Sequence, residues 1–325
     1  MNQAQPTPIA SRFIGAGKFL LLFGLLFVLI YYFNGITESD LFSISLKDSG
    51  HTAVFFVATL LLAKILSTSL FSDRLGQGLV IPSTFFGAII TGILIELIQP
   101  WLGRHGTFLD VWYNLLGCTA GILVFAARHR IRTRKKQFLS IVGACILLSI
   151  SSILPLYFYQ VVALRNEAFP IMFNAESNWQ NELARANHGA YINIVDAPTN
   201  WTDNDTKVIR LDMSHGQYPG IEFHQLPKNW NQYQVLRMDV FSKLKDNTNL
   251  VIRIDDAEHN QAHDDRFNRR LIVQPGLNQF DIQLSDVKKG PRERLLALNA
   301  ISSLILFSTE AKADLTVYLD NIRLE

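Results

Sequence analysis

A polytopic α-helical membrane bundle followed by an all-β jelly-roll sandwich is the fold class this sequence predicts, and three observations predict it. Of 325 residues, 49% are hydrophobic and only 18% charged, where an average soluble domain has roughly a quarter charged. The charge is unevenly divided: residues 1–160 hold 12 Lys/Arg against 6 Asp/Glu and the rest hold 18 against 22, giving halves of +6 and −4. The third observation is a change of rhythm near Phe169 and Pro170, from long apolar runs to short alternating ones. A single soluble domain is excluded. So is a nucleic-acid partner, because the basic excess is confined to the apolar half. Cys118 and Cys145 both lie in apolar runs, so no disulfide framework holds the polar half.

Five apolar stretches, 13–33, 52–70, 79–99, 108–127 and 138–161, reach the roughly 20 residues a helix needs to cross a bilayer. The first ends in Tyr31, Tyr32 and Phe33 where a cleaved leader would carry small residues, so it reads as a retained helix. Residues 128–136 hold six Lys/Arg and must be cytoplasmic. Counting crossings from that loop makes 1–12 a cytoplasmic N-terminus and 13–127 a four-helix transmembrane domain. It makes 128–137 a basic cytoplasmic loop and 138–161 a fifth helix, and it delivers 169–325 as a sandwich to the extracytoplasmic side of the inner membrane.

Ionisable groups at membrane depth are costly and usually face a bundle interior. In the third stretch Ala88, Gly92, Glu96 and Gln99 share one helical face, and in the fourth Asp110, Asn114, Gly117 and Gly121 do the same. Packing these faces together brings their polar ends to one depth, beside Arg104 and beside His51 at the outer start of the second helix. His51, Glu96, Gln99, Arg104, Asp110 and Asn114 thus form a polar membrane cluster. Two readings fit it: a hydrogen-bonded clasp, and a site for an amphiphile's polar head with Arg104 as anion donor.

At these residues the chain resembles the VanZ-like family. The match is Glu96-Leu97-Ile98-Gln99, Arg104, Asp110 to Gly117, and Gly121, preceded by His51 with Phe55 and Phe56. The family's Asp-Lys before the histidine is reversed here as Lys47-Asp48. The resemblance implies a cell-envelope membrane protein linked to glycopeptide tolerance.

In the polar half, nine strands are expected: 190–195, 207–213, 220–226, 235–242, 250–255, 269–274, 279–284, 302–307 and 315–324. The run Val251-Ile252-Arg253-Ile254-Asp255 alternates as a sheet with one buried face does. The ending Val317 to Leu324, with the segments 264–268 and 274–278, resembles the galactose-binding-like jelly rolls of carbohydrate-binding modules. That resemblance implies a structural calcium, for which Glu176 and Asp320 are the matching positions.

Sugar binding needs an aromatic platform beside planar polar groups. Trp179, Trp201 and Trp230 are the candidate platforms, with Tyr218 and Tyr233 also available. Asp256, His259, Asp265, Arg266 and Asn268 lie in a polar segment read as a binding loop. The expectation is a membrane protein whose sandwich binds envelope or exported polysaccharide while the bundle engages lipid. The alternative is a membrane enzyme in which His51 with Glu96 or Asp110 performs acid–base chemistry on a lipid-linked sugar or phosphate. Binding ranks higher, because the sequence holds no nucleophile motif, phosphate loop or metal pattern.

Overall fold

The computed structural model describes residues 40–67, 76–102, 107–201, 206–213, 216–309 and 315–325. The span expected over 13–33 lies outside these. The chain divides into two compact units, Met1–Tyr159 and Gln160–Glu325. Among the described residues, four helical stretches are long and apolar enough to cross a membrane: Leu41–Ser67, Val80–Trp101, Phe108–His129 and Arg134–Ala168. Their outward faces carry large apolar side chains such as Phe86, Ile90, Leu97, Trp112 and Phe138, as lipid-facing helices do.

The first described helix, α1 (Leu41–Ser67), begins well before the position that hydropathy gives. Asp40 caps it, with Oδ1 accepting the Ser43 N–H at 2.8 Å. Lys47 and Asp48 interrupt the apolar run without breaking the backbone. His51 therefore lies inside the helix and not at its start.

Helices α2 (Val80–Ile98) and α3 (Phe108–His129) follow. A methyl group at Gly117 of α3 would sit 2.3 Å from the Thr52 carbonyl oxygen, and one at Gly121 would sit 2.9 Å from Thr59 Cβ. The small residues of α3 therefore seat on α1. This corrects the expectation that they meet the face of Ala88 and Gly92. Close backbone approach through small residues is how helices pack where lipid removes the hydrophobic drive.

The fifth expected span is two helices, α4 (Arg134–Ile150) and α5 (Ile153–Ala168), separated by a turn at Ser151 and Ser152. Pro155 explains the break, since it has no N–H to give the Ser151 carbonyl one helical turn back.

Among the described residues of the second unit, eleven antiparallel strands form two sheets. They are β1 (Ile171–Phe173), β2 (Ala184–Asn187), β3 (Ala190–Asp196), β4 (Lys207–Met213), β5 (Gly220–Phe223), β6 (Val235–Ser242), β7 (Thr248–Asp256), β8 (Phe267–Val273), β9 (Gly276–Gln283), β10 (Ile301–Phe307) and β11 (Leu315–Leu324). One sheet has the order β3-β4-β11-β6-β9 with β1 also on β11, and the other runs β2-β5-β10-β7-β8. Strands β1 and β2 were not expected, being too short to show an alternation. Leu284 opens a short helix, α6 (Leu284–Lys288), and does not end a strand.

Inward-facing residues of both sheets, among them Phe173, Phe223, Leu236, Ile252, Leu304 and Leu319, form one apolar core. The outer face of the six-stranded sheet is covered in part. Trp201 stacks on Phe241 with centroids 5.3 Å apart and planes 8° from parallel, Lys243 Nζ lies 5.0 Å above the Tyr318 ring, and Arg237 grips Asp281 at 2.7 and 2.8 Å.

Candidate functional site

A groove of about 480 Å³ crosses the outer face of the five-stranded sheet. The strand register builds it row by row. Val251 of β7 lies between Phe307 of β10 and Arg270 of β8, and Arg253 lies between Ile305 and Asn268. Alternation turns Val251, Ile305 and Phe307 outward as an apolar strip, while Leu250, Ile252, Leu304 and Leu306 enter the core. One wall is Asn187 with His188, whose φ of 50° and that of Gly189 at 84° make the two-residue turn joining β2 to β3. Tyr218 completes that wall, edge-on to Phe307 at 5.7 Å and half exposed. Its φ of 62° is an unusual backbone state for an aromatic residue. Gly220 lets the strands close beneath it, since a Cβ there would lie 2.3 Å from the Leu306 carbonyl oxygen.

The opposite wall comes from β8 and the loop before it: His263, Arg266, Asn268, Arg269 and Arg270. Salt-bridged carboxylates hold this loop in place. Asp256 accepts two bonds from Arg294 at 2.6 and 2.7 Å and one from the Ala297 N–H at 2.7 Å. Burial would raise the Asp256 carboxyl, but those donors overcome it and hold it below the usual carboxylate range. Asp265 is also held low, first by Arg294 and then by the Asn260 N–H. His259 Nδ1 donates to the Asp265 carbonyl at 2.9 Å, leaving Nε2 to accept from Arg253 at 3.1 Å. Arg253 is in turn paired with the buried Asp255 at 2.8 Å.

Of the binding candidates read from sequence, Arg266 and Asn268 line the groove, as does Tyr218. Asp256, His259 and Asp265 sit behind it as the lock that sets the loop. The tryptophans lie elsewhere. Trp230 is wholly inside the core, its Nε1 donating to the Pro227 carbonyl at 2.8 Å. Trp201 is buried on the other sheet, and Trp179 lies on a short 3-10 turn, Asn178–Leu183. An indole with no open face offers a sugar no platform, which removes Trp201 and Trp230. Asn187, His188, Arg253, Arg269, Arg270 and Phe307 were not expected; the alternation of β7 and β8 was the signal for two of them, Arg253 and Arg270.

The two calcium positions are both engaged with backbone N–H groups. Glu176 accepts the Lys207 N–H at 3.2 Å and Asp320 the Asn321 N–H at 2.7 Å. Among the described residues no group of three or more His, Cys, Asp or Glu is placed to hold a metal ion, and calcium takes six to eight oxygens.

In the helical unit, His51 Nδ1 donates to Asn114 Oδ1 at 3.1 Å, and Asn114 Nδ2 reaches Glu96 Oε1 at 3.5 Å. Glu96 Oε1 is 3.7 Å from His51 Nδ1. All three residues are buried. Asp110 is engaged differently. Its Oδ2 accepts the Thr107 N–H at 3.0 Å and the Thr107 hydroxyl at 2.8 Å, closing a capping box at the start of α3. Gln99 is buried nearby in sequence, on the turn after α2. Arg104 lies outside the described residues.

No protein-family model matches this chain, and no curated protein does. Among solved structures, an exo-beta-agarase aligns at 17% identity and TM-score 0.37, over 48% of this chain and 25% of its own. A family 11 carbohydrate-binding module from Clostridium thermocellum, in complex with a beta-1,3-1,4-mixed-linked tetrasaccharide, aligns at 16% and 0.33, over 43% and 86%. A family 30 module of a cellulosomal cellulase of the same organism aligns at 15% and 0.34, over 44% and 91%. The chain thus spans a quarter of the agarase and most of each module. The modules match the C-terminal β-sandwich.

Proposed function

We propose that this is a membrane-anchored carbohydrate-binding protein that holds a glycan chain in the groove of its five-stranded sheet. The observation that carries the reading is the apolar strip of Val251, Ile305 and Phe307, flanked by exposed Tyr218 and bordered by planar guanidinium and amide groups. A pyranose ring has an apolar face and an equator of hydroxyls, so it needs both kinds of surface side by side. On this reading the sandwich is extracytoplasmic, the membrane is the inner one, and the glycan is envelope or exported polysaccharide. The positive charge of residues 128–136 supports that orientation.

The test uses the full chain in phosphatidylcholine nanodiscs against a panel of immobilised bacterial and plant polysaccharides. We expect weak binding of at least one glycan, lost on Tyr218→Ala. Retention of full binding by that variant would overturn the groove as the site.

A second reading concerns the helical unit, where the VanZ-like resemblance would make the buried His51, Asn114 and Glu96 a site for a lipid-linked sugar or phosphate. What supports it is the closeness of a buried carboxylate and imidazole, 3.7 Å apart and bridged by Asn114. Glu96→Gln with Asp110→Asn keeps shape and removes both charges. Normal rescue of a deletion strain by this variant would overturn the reading.

A further inference from the structure

The groove carries a chemistry that the carbohydrate reading alone does not specify. Among the described residues that line it, four are Arg253, Arg266, Arg269 and Arg270 and none is Asp or Glu. Nearby carboxylates are already engaged: Asp255 with Arg253, Asp264 with Arg292, Asp265 with Arg294 and Glu222 with Arg185. Arg253 therefore brings its own counter-charge.

Arg266 does not. Its Nε is buried and has no hydrogen-bond acceptor among the described residues. The charges nearest it are the cation of Arg253 and, more weakly, Asp255; burial and then Arg253 hold its pKa down. On the facing wall, the side-chain oxygen of Asn187 is likewise buried without a donor among the described residues. A half-buried guanidinium beside another guanidinium favours an incoming anion, and a planar guanidinium fork matches a carboxylate in two parallel bonds.

We infer that the groove selects an acidic glycan, one whose sugar carries a carboxylate such as a uronate, with Arg266 meeting that carboxylate and Asn187 accepting from a ring hydroxyl. Arg269 and Arg270 supply the surrounding positive field. The inference rests on the groove being the glycan site. It departs from neutral-glucan recognition, because stacking on Tyr218 and Phe307 alone would not call for the guanidinium of Arg266 beside that of Arg253.

The experiment compares two forms of one polymer, polygalacturonate and its methyl ester, which share a backbone and differ only in charge. Full-length protein in phosphatidylcholine nanodiscs is presented to each, to the neutral glucan lichenan, and to single-stranded DNA. We expect polygalacturonate to bind about tenfold or more tighter than its ester, with the preference shrinking as salt rises and the Debye length shortens. Arg266→Gln should abolish the preference. It should also leave the melting temperature unchanged or raised, since it relieves the repulsion between Arg266 and Arg253; a merely structural arginine would lower it. Arg269→Gln with Arg270→Gln, both at exposed positions, provides a second variant that should weaken acid binding without disturbing the fold.

Equal binding of ester and acid would overturn the inference and leave the carbohydrate reading standing. Binding of none of the polysaccharides would overturn both. DNA held as tightly as polygalacturonate, and lost with Arg266→Gln, would show a groove that reads charge without reading sugar, and would also overturn the inference.

Discussion

Arg294 grips Asp256 through two charge-assisted bonds of 2.6 and 2.7 Å, and the carboxylate it holds is fully withdrawn from solvent. The same arginine reaches Asp265, so one side chain ties the end of β7 to the loop that delivers Arg266. The segment from Asp256 to Arg266 is short of apolar anchors, and these ion pairs take their place.

Arg294→Met should therefore destabilise the sandwich by about 3 kcal/mol, because it leaves a buried carboxylate without its cation. Denaturant melts of the full-length protein would measure it. The pH dependence has a definite sign. Both carboxyls are held low in the fold, so their contribution is complete above the unfolded value near 3.9 and disappears as pH falls through the lower folded values. The gap between wild type and Arg294→Met should be full at neutral pH and should begin to narrow above about pH 4, because burial raises the Asp256 carboxyl of the variant once Arg294 is gone.

A histidine gives a second, milder acid response. His224 is held below its ordinary value by burial first and by the charge of Arg185 next. A depressed histidine stabilises the fold above its unfolded value of about 6.5 and withdraws that support as pH falls below it. The wild type should lose melting temperature between about pH 7 and 5, and His224→Gln should flatten that part of the profile.

Packing of α1 on α3 is set by backbone proximity. Gly117→Ala places a methyl group where the Thr52 carbonyl oxygen stands, at 2.3 Å, whereas Gly143→Ala meets only Leu123 Cδ1 at 3.4 Å. The first should cut the yield of folded membrane protein severely and the second should change it little. Size-exclusion profiles of the two variants would separate them.

The buried relay from His51 through Asn114 to Glu96 should be modest as a structural element. Interhelical hydrogen bonds in membranes average about 0.6 kcal/mol and reach about 1.7. Asn114→Ala should lower the unfolding free energy within that range. A larger loss would mark the relay as the clasp that holds these helices together.

Much of the fold was legible because two periodicities never overlap in this chain. Apolar runs longer than a bilayer's thickness stop near Phe169, and alternation of period two begins after it. The long strands β6, β7, β9, β10 and β11 followed from that alternation. The short β1 and β2 did not, since three or four residues hold no pattern and take their place by pairing with β11 and β5. The site was only partly legible. Arg266 and Asn268 stood out as polar residues in a polar loop, but Phe307, Val251 and Arg253 are neighbours only through strand register, which the sequence does not spell out. Trp201 and Trp230 misled for a related reason: the largest aromatic side chains are as useful for packing as for stacking on a sugar, and here Trp230 fills the core while Trp201 packs on Phe241 outside it.

The cover of Trp201 over Phe241 has a consequence for how this protein would handle a polymer. With part of one broad face of the sandwich occupied by its own side chains, the groove is the one grip the proposed function assigns to each molecule, which would then be monovalent. A grip that is weak for one copy then becomes strong only by avidity, when several copies share one membrane and one strand. Retention of a long polysaccharide would rise steeply with the surface density of the protein, while short oligosaccharides would exchange freely at any density.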